Sequence, residues 1–195
     1  MAEPARVRAT YKDVLDAPEH LVAEVIDGKL VLSPRPSPPH ANVSSALGDE
    51  LGPPFRRGRG GPGGWILLDE PELHLGLEPQ ILVPDLAGWR RERLPSIDSR
   101  MAYFTLPPDW ICEVVSPSTG KLDRARKLPL YAAFGVRHAW IVDPLLRTLE
   151  VRRLEGGRWV ELGTFADDAR VRAEPFDAIE LELGALWADL AAPNT

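Results

Sequence analysis

Cysteine is nearly absent from this sequence, since Cys112 is the single one among 195 residues. An internal disulfide and a cysteine-based zinc site are therefore excluded. Long apolar runs are also missing: no stretch approaches the ~20 apolar residues that span a bilayer, and the first residues have no signal-peptide core. The default expectation is a cytoplasmic protein with no membrane partner.

The chain also lacks an excess of positive charge. It has 23 Lys and Arg against 29 Asp and Glu, a formal net charge of −6. This balance argues against binding nucleic acid through overall charge, although local basic patches are compatible with it. Two basic clusters occur, a glycine-rich loop at residues 56–64 and a second cluster at residues 90–93. The loop has no Lys-Ser/Thr ending, which excludes a P-loop, and a solvated loop is its more common role.

The remaining composition is that of a globular protein. The apolar share of 44% and the charged share of 27% fit one soluble domain over residues 1–195, with a core at about residues 11–190. The 20 prolines cluster in connections, which predicts rigid loops and not a proline-rich tail.

Asp27-Gly28 lies between two β-type runs in residues 21–32, and this pair is a strong hairpin signal. Alternation along the first strand places Glu24 on the same face as Val22 and Ile26, so its carboxylate would point toward the apolar side. The alternative is an edge strand with a solvated Glu24, which is the commoner environment for a carboxylate.

Helical spacing of apolar residues predicts a helix over about residues 40–51. His40 stands in its first turn, where we expect a capping or surface role ahead of a substrate or metal role. Short strands are then predicted at residues 65–68, 72–75 and 80–83, and the third of them leads to Pro84-Asp85.

The most informative stretch is residues 108–119. Its mostly apolar run at residues 110–115 predicts a central strand buried on both faces, yet this run carries Glu113. A buried carboxylate is costly unless a cation, a metal or hydrogen bonds compensate it. Ser118-Thr119 can cap a following helix that places Lys127 and Tyr131 on one face and that Pro129 forces to start late or to kink. A second buried strand at residues 138–143 completes a β-α-β unit.

The chemically informative residues are Asp85, Glu113, a lysine at position 127 or 121, and Glu24 as an additional acid. Carboxylates can hold Mg²⁺, and a nearby ammonium can orient water or stabilise transition-state charge in phosphodiester cleavage. The spacing alone does not establish this chemistry.

Several of these motifs together resemble one family. They are Pro84-Asp85, residues 108–119, Asp123 with Lys127, Tyr131 with Gly135-Val136, residues 140–144, residues 24–28 with the following Ser-Pro loop, and residues 64–75. In combination they are similar to the Uma-two family of restriction-type endonucleases, in the PD-(D/E)xK superfamily. The resemblance covers most of the chain, from about Tyr11 to the final helix.

The resemblance implies an α/β (α+β) fold, with a restriction-endonuclease-like mixed β-sheet core flanked by helices and additional β-hairpins. It also implies hydrolysis of DNA phosphodiester bonds that depends on Mg²⁺ (or Mn²⁺), with Asp85 and Glu113 as metal ligands and Glu24 as a further acidic member. A homodimer is expected by analogy with enzymes that cut duplexes.

One departure from the superfamily pattern is Val115, which occupies the position two residues after the second acid where a lysine is usual. The family pattern places a lysine four residues after the acid that matches Asp123. Lys127 is therefore expected to supply the cation, with Lys121 as the second choice.

Two other classes of function stay open at this point. A non-catalytic binding or scaffold module could retain the same fold, because function depends on the site and not on the fold. A glycosidase could use paired carboxylates without a metal, and it would need an aromatic-lined sugar groove.

Overall fold

The computed structural model describes residues 8–117 and 119–191. Its α-helices are α1 (Tyr11–Leu15), α2 (Pro38–Leu51), α3 (Gly120–Leu122) and α4 (Leu128–Ala133). Its strands are β1 (Leu21–Ile26), β2 (Lys29–Pro34), β3 (Trp65–Asp69), β4 (Leu73–Leu75), β5 (Gln80–Leu82), β6 (Leu86–Arg90), β7 (Trp110–Val114), β8 (His138–Asp143), β9 (Thr148–Glu155), β10 (Arg158–Ala166), β11 (Arg170–Val171) and β12 (Leu181–Glu182). Two π-helical turns (Gly52–Arg56 and Asp123–Lys127) and a 3₁₀ helix (Leu183–Trp187) complete the described elements.

The larger sheet has six strands in the order β10-β9-β8-β7-β6-β3. Strands β7 and β8 are parallel and the other neighbours are antiparallel, so the sheet is mixed, as predicted. A smaller sheet has the order β2-β1-β5-β4. The predicted β-α-β unit is confirmed, because the chain between β7 and β8 forms α3, a π-helical turn and α4.

Strand β7 lies in the centre of the larger sheet, and all five of its residues are buried. Alternate side chains enter two separate apolar clusters. Cys112 and Val114 pack in the cluster that includes α2, whereas Ile111 and Val115 pack in the cluster that includes α4 and the smaller sheet. By this alternation the Glu113 side chain projects toward the α4 side.

The predicted hairpin is confirmed as β1 and β2. Asp27 and Gly28 have φ angles of 51° and 72°, as a tight hairpin turn requires. Strand β1 pairs with β5 on its other side, so Glu24 is on an interior strand and not on an edge.

The helix after β7 accommodates Pro129 without a break. The π-helical turn precedes α4, and the Leu128 amide donates to the carbonyl of Asp123, five residues back. A proline ring clashes with the carbonyl four residues before it, and the wider turn relieves this clash. Thr119 precedes α3 but makes no side-chain capping bond to it, and Ser118, the other predicted cap, lies outside the described residues.

Gly135 ends α4 with φ 76°. Its amide donates to the carbonyl of Ala132, and the Val136 amide donates to that of Tyr131. Within residues 8–117 and 119–191, no helix combines the length and the apolar character needed to cross a membrane.

Candidate active site

A cavity of about 310 Å³ lies at the end of the larger sheet where β6 begins and β7 ends. It brings together all four residues singled out from the sequence: Glu24, Asp85, Glu113 and Lys127. Its lining also contains residues to which the sequence analysis gave no such role, including Arg35, His40, Glu70 and Asp123.

Lys127 is a buried cation in the wall of the cavity. Its Nζ lies 2.9 Å from Glu113 Oε1 and 3.1 Å from Glu24 Oε1, and it donates to the carbonyl of Val83 at 3.1 Å. Lys121, in contrast, is exposed and does not line the cavity. Of the two candidate lysines, therefore, the structure brings Lys127 to the acids.

The electrostatics of Lys127 follow from these neighbours. Burial alone would lower the pKa of the Lys127 ammonium, but Glu113 and Glu24 oppose this effect and hold the pKa well above its ordinary value. Lys127 therefore stays charged in the folded protein.

For Glu113, burial acts on the pKa in the opposite direction. Burial raises the pKa of its carboxyl well above the usual range, and Lys127 offsets this only in part, because Asp123, Asp85 and Glu24 raise the pKa further. Oε1 also accepts a hydrogen bond of 2.7 Å from the Tyr131 hydroxyl. The prediction that Lys127 and Tyr131 share a helix face is confirmed, since both contact this one oxygen.

Asp85 is held by both of its carboxylate oxygens. Oδ1 lies 2.7 Å from His40 Nε2, and Oδ2 accepts the Val114 amide at 2.7 Å. Because a carboxylate can only accept, His40 carries its proton on Nε2 and donates to Asp85. These two donors come from α2 and β7, so Asp85 connects the helix to the sheet.

The expectation for His40 was wrong. It is neither a cap nor a surface residue, but is buried at 8% exposure. Pro38 and Pro39 form the first turn of α2, so His40 follows them on the face that Val43 and Leu47 bury against the sheet. The signal available in the sequence was this continuation of the apolar face by one turn.

The solvated alternative for Glu24 was also wrong. Glu24 is 3% exposed, and its Oε1 accepts the Val83 amide at 2.8 Å. The carboxylate thus bonds to the backbone where β5 ends, close to Asp85 in sequence.

Asp123 is an acidic member of the site that the sequence analysis used only to locate Lys127. It is buried, and burial raises the pKa of its carboxyl while Lys127 opposes the shift. Its Oδ1 lies 3.8 Å from the Lys127 Nζ, one helical turn away. The i, i+4 pairing of the two charges was the signal that could have indicated it.

Comparison with known proteins identifies the family of this chain. Residues 9–185 match the model of the Uma2 family, whose description is "Putative restriction endonuclease". The chain belongs to the Uma2 family. The family suggested by the motifs is therefore confirmed, and the matched range includes every residue of the site described above.

The fold of this Uma2 protein also occurs in a solved structure, described as "a putative nuclease belonging to DUF820 from Anabaena variabilis". The two share 23% sequence identity with a TM-score of 0.69, over 92% of this chain and 98% of the other. At this identity the likeness shows a common fold, which confirms the predicted fold class. No curated protein matches the chain.

The donor set of this Uma2 site fits a magnesium ion bound with few protein ligands. Among the described residues, no group of three or more His, Cys, Asp or Glu side chains is arranged to hold a metal. Mg²⁺ commonly takes only one or two carboxylates and completes its shell with water and phosphate oxygens. The cavity wall contains three buried acids (Glu24, Glu113 and Asp123) and the partly exposed Asp85, against the one buried ammonium of Lys127, and this excess of acidic groups favours a divalent cation.

Proposed function

We propose that this Uma2 protein is a metal-dependent endonuclease that hydrolyses phosphodiester bonds of DNA. The observation that carries the proposal is the contact of the Lys127 ammonium with Glu113 and Glu24 in the cavity that Asp85 also lines. This arrangement supplies two carboxylates and one cation despite the valine at position 115, which packs in an apolar cluster.

Asp85 and Glu113 would hold the metal. When bound, Mg²⁺ (or Mn²⁺) would lower the pKa of a water molecule and neutralise charge on the phosphate. The chain's own residues do the positioning: His40 and the Val114 amide fix the Asp85 carboxylate, and the Tyr131 hydroxyl fixes that of Glu113. Lys127 keeps its proton and provides a fixed positive charge for the negative charge that develops on the phosphate.

The glycosidase alternative is not favoured by the cavity. Its described lining contains no Trp, Tyr or Phe side chain, so it lacks the aromatic surface on which a sugar ring would stack. The binding-module alternative differs from the proposal in one respect, the absence of turnover. A cleavage assay therefore decides between them.

The test is cleavage of supercoiled plasmid and linear duplex by purified protein in Mg²⁺ or Mn²⁺, with EDTA as the blank. We expect cleavage that needs the metal and that falls by about 10²-fold or more in Asp85→Ala, Glu113→Ala and Lys127→Met. Lys121→Met, which removes an exposed lysine from the same connection, is the matched control and should keep wild-type activity. Equal activity in wild type and the three site variants would identify a contaminating nuclease, and no cleavage by wild type would favour the binding module.

A further inference from the structure

The structure joins the two basic clusters that are separate in the sequence. Trp65, the first residue of β3, pairs with Arg90, the last residue of β6. The Arg91 amide donates to the carbonyl of Gly64 at 2.9 Å, and the Arg90 guanidinium lies 4.3 Å from the centre of the Trp65 ring. The glycine-rich loop and the cluster after β6 therefore form one surface, here called the arginine patch (Arg56, Arg57, Arg59, Arg90 and Arg91).

The loop that carries three of these arginines is held in place by its backbone. The Arg59 amide donates to the carbonyl of Pro53, and the Gly63 amide donates to that of Pro54, both at 2.8 Å. A Cβ atom on Gly61 would lie 2.5 Å from the Cβ of Pro54, so glycine permits this close approach. The loop is thus packed on the π-helical turn that ends α2.

The charge of the patch is not neutralised within the described part of the chain. All five arginines are exposed, and none of them makes an ion pair there. Residues 56–64 contain no acidic residue, although the chain as a whole has 29. Most other described arginines do pair with acids, as Arg93 does with Asp109 at 2.7 Å. Five like charges that repel one another are stabilised by an anionic ligand.

The patch and the cavity lie at opposite ends of the same two strands. Asp85 directly precedes β6 and Arg90 ends it, while β3 runs from the patch toward Glu70 on the cavity wall. Five residue steps of ~3.4 Å give a separation of about 17 Å between Asp85 and Arg90. That distance corresponds to about five base pairs of duplex axis.

We infer that the arginine patch binds the sugar-phosphate backbone of duplex DNA about five base pairs from the bond at the cavity. This inference rests on the proposed function for the identity of the ligand. Guanidinium groups match phosphate geometry, and a glycine loop leaves room for a backbone to approach. A duplex is favoured over a single strand because it is stiff enough to keep a fixed distance between two contact points.

The test is binding of a fluorescein-labelled 30-base-pair duplex in EDTA, followed by anisotropy as a function of salt. Wild type is compared with Arg57→Ala/Arg59→Ala/Arg91→Ala. Each phosphate contact contributes about 0.9 to the slope of log K against log salt, so the triple variant should lose about 2.7 from this slope. When the salt concentration rises from about 50 to 200 mM, the factor by which its affinity falls should therefore be about 40 times smaller than for wild type.

Two control proteins separate the patch from general charge and from misfolding. Arg100→Ala/Arg158→Ala/Arg172→Ala removes three exposed arginines elsewhere and should keep the wild-type slope. Arg57→Lys/Arg59→Lys/Arg91→Lys keeps the charge and should keep most of the slope. Equal slope losses in both alanine triples, or no loss in the patch triple, would overturn the inference. The same titration with labelled polyglutamate is a further check. If the patch triple weakened polyglutamate binding but left duplex binding unchanged, the inference would also be overturned, in favour of an acidic protein partner.

The binding readout is independent of cleavage. A salt slope that depends on the patch in a protein that never cleaves DNA would support the patch and refute the proposed function. Cleavage that depends on Asp85 and Glu113, together with the same salt slope in wild type and the patch triple, would support the proposed function and refute the role of the patch.

Discussion

His40 Nε2 lies 2.7 Å from Asp85 Oδ1, and the second oxygen of Asp85 accepts the Val114 amide. The proposed metal ligand is therefore oriented from two sides, by a helix and by the central strand. Donors that orient a ligand in this way commonly change metal affinity when they are removed, although they do not touch the metal.

The first prediction concerns this orientation. His40→Leu should weaken Mn²⁺ binding by about 10- to 100-fold, because Asp85 keeps only the Val114 amide as a donor. His40→Gln retains an N–H at a similar reach and should recover a large part of the affinity. Isothermal titration of Mn²⁺ measures this without turnover. The same affinity in all three proteins would show that His40 does not act through Asp85.

The second prediction concerns pH and the Glu113 carboxyl, whose pKa burial raises well above its ordinary value near 4.5. The folded state therefore keeps this proton at a pH where the unfolded chain has released it. The stability that the protonated Glu113 carboxyl contributes is present at a pH below its ordinary pKa, and it is lost as the pH rises toward its raised pKa. In EDTA, Glu113→Gln should gain stability relative to wild type as the pH increases, by at most about 1.4 kcal/mol per pH unit.

Urea unfolding of both proteins across this pH range measures that difference. Tyr131→Phe serves as the control, because it removes a hydrogen bond from the same carboxyl but leaves the titrating group in place. It should retain the wild-type direction of the pH dependence. A Glu113→Gln advantage that shrinks as the pH rises would contradict the raised pKa.

Much of this fold was readable from local patterns. The Asp27-Gly28 turn and the buried run around Glu113 each depend on neighbouring residues, and each was predicted correctly. The contact of Lys127 with Glu113 could be predicted as well. The usual strand lysine is replaced by Val115, but the family motif places a lysine at position 127.

The parts that were missed depend on contacts distant in sequence. His40 pairs with Asp85, 45 residues away, and the sequence offers only the continuation of the α2 apolar face as a sign of its burial. The sequence predicted Glu24 on the apolar side but left a solvated edge strand open, because the pairing of β5 with β1 is not specified by residue types alone. The arginine patch exists because β3 and β6 pair, which brings two separate clusters together.

The third prediction tests packing behind the site at Gly88 on β6. A Cβ atom there would lie 2.8 Å from Leu67 Cδ2 and 3.2 Å from ring atoms of both Trp65 and Trp110. Gly88→Ala should therefore lower the free energy of unfolding by about 1–3 kcal/mol. Gly48→Ala in α2 meets nothing within 4 Å and should raise it by about 0.5–1 kcal/mol. Thermal and urea unfolding measure both, and equal signs would contradict the packing argument.

The last prediction separates the structural role of Lys127 from the catalytic role proposed for it. Lys127→Met removes the cation that contacts Glu113 and Glu24, so we expect a loss of about 3–5 kcal/mol in the free energy of unfolding. Adding Glu113→Gln removes one of the two buried acids that Lys127→Met leaves without their cation, so the double variant should be less destabilised than the sum of the two single variants. Cleavage should not recover, since neither the charge of Lys127 nor the carboxylate of Glu113 is restored. Urea unfolding and plasmid cleavage of the four proteins complete the cycle, and additive stability changes would show that the two residues do not interact.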